Sequence, residues 1–184
     1  MSQQSPKLYD YLLLNKLKLE KRKQYGKWYG YSAARNLKIH GKSDILIPLL
    51  ANKGLFSLTP KDDIYTLMAG GGFSISIKNK AIDKHYLLAL LNSKFLFFLL
   101  YKESNKFRGG YITCTKQYFE NLPIKIIDAK EQEPFILLVK QVLSLKESNS
   151  KIDTSALENT IDQMVYKIYD LKDEEIQIVE SSIK

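Results

Sequence analysis

Apolar residues recur at helical spacing toward both ends of the chain, and between them they come in short, interrupted runs. At the front, Ser5 and Pro6 supply an N-cap and a proline at the first helical position, and a Leu-rich stretch over residues 8–19 ends in the basic run Glu20-Lys21-Arg22-Lys23. That pattern predicts one helix. From Tyr25 to Ile77 the texture changes to β-branched, aromatic and Leu residues cut by Gly, Pro, Asn and Asp. It predicts strands at residues 28–31, 45–50, 55–58, 64–68 and 73–77. Asp83 stands where it can cap a helix over residues 84–91, and Asn92-Ser93 ends that helix and opens a second, apolar one over residues 95–101. After the polar loop 102–110, two more strands are predicted at residues 111–114 and 124–127.

Beyond Glu131 the spacing becomes helical again. Pro134, behind Glu131 and Glu133, marks a helix start, and Phe135, Leu138, Val139 and Val142 follow at three-and-four spacing. Ser155-Ala-Leu-Glu158 has the form of a capping box, with Leu157, Ile161, Met164, Val165 and Ile168 tracing one apolar stripe after it. A last helix carries Ile176, Val179 and Ile183 on one face. With no internal repeat, the expected architecture is α+β: an N-terminal helix over residues 1–24, a mixed β-sheet module with packed helices over 25–130, and a small C-terminal helical unit over 131–184.

Composition narrows the class. The 184 residues are 45% apolar, enough for a packed core, which excludes a disordered or collagen-like chain. The net charge of +8 is unevenly spread: residues 6–61 carry +9, residues 62–150 carry +3 and residues 151–184 carry −4. A polyanion would meet the N-terminal half, and the acidic tail is left for protein contacts. A lysine-rich solvated surface is the plain alternative for the same charge. Cys114 is the single cysteine, so no intrachain disulfide and no cysteine metal cluster can form. The N-terminus lacks a basic-then-apolar signal pattern, and the greasy stretch 86–101 is broken by Asn92, Ser93 and Lys94 and is short for a bilayer. The expectation is a soluble, cytoplasmic protein with no membrane partner.

Catalytic chemistry is hard to find. There is no Pro-Pro dipeptide and no glycine-rich turn from strand to helix that would suit a cofactor loop. Gly70-Gly71-Gly72 lies between strand-like residues and fits a hairpin, a bulge or a DNA-facing loop better. Asp62, Asp63 and Asp128-Ala129-Lys130 are the nearest approach to a metal-dependent nuclease site, and His40 and His85 stand apart from any ligand cluster. Cys114, in a strand-like run, reads as a buried structural thiol. No catalytic residue and no metal ligand is expected.

Three segments together resemble a known family. They are Trp28-Tyr-Gly-Tyr-Ser-Ala-Ala-Arg-Asn-Leu37 with Ile45-Leu-Ile-Pro-Leu-Leu-Ala51; Gly70-Gly-Gly-Phe-Ser-Ile75; and Tyr86-Leu-Leu-Ala-Leu-Leu-Asn-Ser-Lys94 leading to Ser104-Asn-Lys-Phe-Arg-Gly-Gly-Tyr111 and Lys116-Gln-Tyr-Phe-Glu-Asn-Leu-Pro-Ile124. In order and spacing they resemble the TaqI-like C-terminal specificity domain, the DNA target-recognition region behind an N6-adenine methyltransferase in type IIG restriction–modification enzymes, itself related to type I specificity subunits. The tail from Ile161 to Leu171 is similar to that family's closing helices, and the resemblance spans about residues 6–180. The chain departs from the pattern at Lys172, where Thr or Ser is common, and in having fewer glycines around Gly70–Gly72. The resemblance implies a double-stranded DNA reader whose methyltransferase and endonuclease domains lie elsewhere. S-adenosylmethionine and Mg²⁺ are expected only in those domains, and no cofactor is expected here.

For such a reader, phosphate contacts position the protein and contacts to base edges read the sequence. Arg35, able to grip guanine O6 and N7 with two hydrogen bonds, is the first candidate for readout, with Tyr31, Ser32 and Asn36 around it. Trp28 is expected to be a core anchor. Lys53, in the turn 51–54, and Lys61 are candidate phosphate contacts, and Gly70, Gly71 and Gly72 a candidate close approach. Lys106, Arg108 and Lys116 form a second basic group around Gly109-Gly110, with Arg108 open to a phosphate contact or a structural ion pair. The acidic C-terminal helices suit packing against the catalytic domains or a second subunit, and burial within the chain competes for the same stripe. A metal-dependent nuclease fragment and a protein-interaction scaffold are the alternatives.

Overall fold

The computed structural model describes residues 3–23, 26–31, 41–60, 65, 67 and 71–183. Packing divides the chain into two compact units, residues 1–40 and residues 41–184.

In the first unit Pro6 stands at the start of helix α1 (Pro6–Leu14), as its fixed φ favours. The helix predicted to continue to residue 19 instead breaks at Asn15, with a short second helix α2 (Lys16–Glu20) after it. Asn15 leaves helical geometry, and its side-chain amide donates to the Tyr11 carbonyl at 3.0 Å, the local competition with the backbone that makes Asn a poor interior residue. The strand predicted at residues 28–31 is a turn. Arg22 accounts for it: its guanidinium donates to the carbonyls of Leu19, Trp28 and Gly30 at 2.9, 2.6 and 3.0 Å, and so wraps these residues around one planar cation. Trp28 and Tyr29 meet edge to face at 5.3 Å and both pack against Tyr9 of α1. Trp28 is therefore an anchor, half-buried within this unit.

The second unit is built on two small antiparallel sheets. Strand β1 (Ile45–Pro48) lies between β3 (Ser57–Leu58) and β4 (Gly72–Ile75), and strand β2 (Leu50–Ala51) pairs with β5 (Ile112–Thr113). The strand predicted over residues 45–50 is thus shared between two sheets, and Leu49 is the joint. Its N–H donates to the Gly71 carbonyl at 3.3 Å and its carbonyl accepts from the Cys114 N–H at 2.7 Å. Gly72, paired with Pro48, has φ +142, and a Cβ there would stand 2.1 Å from the Ile47 carbonyl oxygen. Only glycine fits that approach. Of the run 64–68 expected before it, only Tyr65 and Leu67 are among the described residues.

Helix α3 (Lys84–Asn92) runs through the centre with Tyr86, Leu87, Leu88, Ala89, Leu90 and Leu91 all buried, so it is apolar on every side because it is covered on every side. Both caps read from the sequence are present: Asp83 accepts from the His85 N–H at 2.7 Å, and Ser93 accepts from the Leu96 N–H at the start of α4 (Lys94–Glu103). A single turn, α5 (Lys116–Phe119), follows β5, and the strand predicted at 124–127 is an extended segment without ladder partners among the described residues. Helix α6 (Ala129–Ser148) starts earlier than Pro134 predicts. Asp128 and Glu131 form a reciprocal capping box at 2.8 and 3.1 Å, which places Pro134 inside the helix on an exposed face, where water can serve the carbonyl it leaves unbonded.

Helices α7 (Ser155–Ile168) and α8 (Asp173–Ser182) close the unit. Thr154, not Ser155, is the N-cap of α7, and its hydroxyl donates to Glu158 at 2.6 Å. Ile161, Val165 and Val179 are buried in the core together with Phe135 and Val139 of α6, which settles the C-terminal stripe as internal packing. The polar tie at this end is Lys94. Its N–H donates to buried Asp162 at 2.9 Å, its ammonium reaches Glu180 at 2.8 Å, and Tyr166 donates to the other Glu180 oxygen at 2.8 Å. Burial pushes the Asp162 carboxyl up to about 6 against the pull of Lys94. The α+β class holds, with helices predominating over short sheets.

Candidate nucleic-acid interface

The polar loop before β5 is a hairpin. The Thr113 N–H donates to the Asn105 carbonyl at 3.1 Å, Lys106 bridges Ile112, and the Phe107 N–H donates to the Tyr111 carbonyl at 2.6 Å. Its tip is Arg108-Gly109-Gly110, with φ of +77 and +79 at the two glycines. Two successive residues in the left-handed region are what lets three residues reverse the chain, and side chains other than glycine resist it.

Pairing of β2 with β5 sets the register: Leu50 faces Thr113 and Ala51 faces Ile112. One step further along β2 lies the turn that carries Lys53, and one step back along β5 lies the hairpin tip. Lys53 and Arg108 therefore leave the same end of one ladder, although 55 positions separate them. The Lys53 turn is held from beneath by helix α3. Asn92 accepts from the Phe56 N–H at 2.9 Å and donates to the Phe56 carbonyl at 3.0 Å, and Gly54 crosses so closely that a Cβ would stand 2.5 Å from the Asn92 carbonyl oxygen.

The other candidates are distributed as follows. Among the described residues no acidic side chain forms an ion pair with Arg108, so of its two expected uses the structural ion pair is not made there. Lys106 is turned back onto α4: its ammonium sits over the Tyr101 ring, 3.5 Å from the centroid, and donates to the Tyr101 carbonyl. Desolvation there, with the nearby Lys102 charge, lowers its pKa from the usual lysine value. Lys116 leaves the opposite end of β5 as the first residue of α5, with its side chain 87% exposed and 3.7 Å from Glu120. It does not join the Arg108 tip. Gly71 and Gly72 are engaged by the backbone of the β1 edge at Leu49 and Pro48. Tyr31 is exposed in the first unit, and Ser32, Arg35, Asn36, Lys61 and Gly70 lie outside the described residues.

Two aromatic side chains at the hairpin tip were missed in the sequence. Phe107 is 58% exposed and Tyr111 39%, facing each other at the positions that close the tip. The signal was available: Phe-Arg-Gly-Gly-Tyr is a pair of aromatics around a tight turn. Cys114 is fully buried and its thiol is pushed up to about 11, the behaviour of a packing residue. Among the described residues no three His, Cys, Asp or Glu side chains converge on a possible metal position, and no helix is long and apolar enough to cross a membrane; Asp62 and Asp63 lie outside them.

The sequence model of one protein family, described as the TaqI-like C-terminal specificity domain, matches residues 11–124, a span that takes in α1, both sheets, the Lys53 turn and the hairpin. No curated protein matches the chain.

Proposed function

The chain belongs to the TaqI-like C-terminal specificity domain family, and from that premise we propose that it is the sequence-reading module for double-stranded DNA of a type IIG restriction enzyme acting as a site-specific adenine-N6 methyltransferase. Membership in a specificity-domain family points to DNA sequence recognition within a restriction–modification enzyme. In this reading the chain has no catalytic activity of its own, works in the cytoplasm of a bacterium, and leaves S-adenosylmethionine and Mg²⁺ to the methyltransferase and endonuclease domains of the parent enzyme.

One observation carries the proposal: within the family-matched span, the β2–β5 ladder presents Lys53 and Arg108 from a single end, on turns made slim by Gly54 and by Gly109-Gly110. Cations on narrow turns can follow a phosphate backbone closely. The Arg35 loop supplies the proposed base readout, because a bidentate guanidinium distinguishes guanine from the other bases.

Titration of a labelled duplex with the 184-residue chain tests this. Affinity should fall by orders of magnitude between about 50 and 200 mM salt, as several neutralised phosphates require. No methyl transfer and no cleavage should follow on adding S-adenosylmethionine and Mg²⁺. Binding indifferent to salt, or turnover by the pure chain, overturns the proposal.

A further inference from the structure

We infer that Phe107 is an apolar wedge, whose ring enters the base stack from the minor groove while Arg108 holds a neighbouring phosphate; this rests on the reading of the chain as a DNA-binding module. Phe107 is the more exposed of the two aromatics that close the hairpin, and it is adjacent to the free guanidinium at the tip. A large apolar side chain held in water beside a cation is poorly placed for a folded core and well placed for a surface that is charged outside and apolar within. Duplex DNA is such a surface, with phosphates flanking stacked bases.

Shape selects the groove. A minor groove about 6 Å wide excludes a two-stranded ribbon and admits only a narrow projection. Gly109 and Gly110 remove side chains from the tip, and no atom stands within 4 Å of where a Gly110 Cβ would be. The ring of Tyr111 lies along the tip instead, 3.7 Å from where a Gly109 Cβ would sit, so it braces the turn and leaves Phe107 as the projecting side chain. Proteins that enter the minor groove combine Arg or Lys with apolar residues pushed between base steps, and the Phe107-Arg108 pair has both parts in adjacent positions. Lys53, from the same end of the ladder, adds a second cation for the backbone.

The test begins with selection of a binding duplex from a random pool by the full chain, followed by 2-aminopurine placed at successive positions of that duplex. Saturating wild-type protein should brighten the probe at one step, because an unstacked 2-aminopurine is no longer quenched. Phe107→Ala should still bind at saturating concentration without the rise, and Phe107→Leu, which keeps an apolar wedge, should restore it. Arg108→Ala should instead lower the slope of log affinity against log salt by about one unit. A folded Phe107→Ala variant, verified by circular dichroism, that brightens the probe like the wild type overturns the wedge and leaves DNA recognition standing. So does a wild-type protein that binds without brightening any position. A pool that yields no bound duplex overturns the DNA reading and the wedge with it.

Discussion

Asn92 and Phe56 form a two-way amide pair: the side-chain oxygen of Asn92 accepts the Phe56 N–H at 2.9 Å while its nitrogen donates to the Phe56 carbonyl at 3.0 Å. A side chain at the end of a buried helix thus stands in for a neighbouring strand, and the turn bearing Lys53 is held to α3 through it. Asn92→Ala should destabilise the protein by about 1–3 kcal/mol, the range for leaving backbone groups unpaired in a poorly hydrated place. Equilibrium denaturation measures it. Asn92→Asp keeps the acceptor and loses the donor, and is expected to fall between the two.

Gly72 and Gly110 make a contrasting pair. Gly72→Ala would set a Cβ 2.1 Å from the Ile47 carbonyl oxygen in a backbone that already has φ +142, so strain and collision act together. Gly110→Ala meets open space and bears only the strain of φ +79. The expected losses are several kcal/mol at Gly72 and about 1 kcal/mol at Gly110. Denaturant midpoints of the two variants compared with wild type check the order, and equal losses would contradict it.

Asp162 should leave a signature in the pH dependence of stability. Its carboxyl is raised to about 6 by burial, against an ordinary value of 3.8. Between those values the folded chain holds a proton that the unfolded chain has released, so this contribution to stability is full below about pH 4 and is lost as pH rises through about 6. Glu180 runs the other way: burial raises its carboxyl, but hydrogen bonds from Lys94 and Tyr166 outweigh that and hold it low, so its contribution is lost only in acid. Asp162→Asn keeps an acceptor for the Lys94 N–H and removes the titration. Relative to wild type it should gain stability with rising pH over this window, by on the order of 1–2 kcal/mol. A pH-independent difference between the two proteins would refute the assignment.

Lys53 and Arg35 should separate by the kind of loss. Lys53→Ala is expected to weaken binding to all duplexes alike, with the salt slope falling by about one unit. Arg35→Ala is expected to relax preference at one base pair, at about 1–3 kcal/mol. Methylation mapping with the parent enzyme reads both: an unchanged motif with Arg35→Ala would move Arg35 to the phosphate class.

The central helices were legible because their signals are local. Asp83 and Ser93 cap the helices that follow them within three residues, and an uninterrupted apolar run such as 86–91 has no stable place outside a core. The α+β class and the cations at Lys53 and Arg108 could be read in the same way, as could the requirement for glycine at the turns beside them. What the residues could not disclose depends on partners far away in sequence. Whether 45–50 is one strand or two is decided at Leu49, by Gly71 and Cys114. Residues 28–31 turn because Arg22 collects their carbonyls, and a β-rich composition cannot signal that. The C-terminal stripe is equally apolar whether it meets a partner or the rest of its own chain, and only packing against α6 shows the second. The sequence by itself determined which segments must be buried and which residues could touch a polyanion, because burial and charge belong to individual side chains. Only the tertiary structure decided that Lys53, Phe107 and Arg108 share one end of a ladder, because strand register is a relation between distant backbone groups that no single side chain carries.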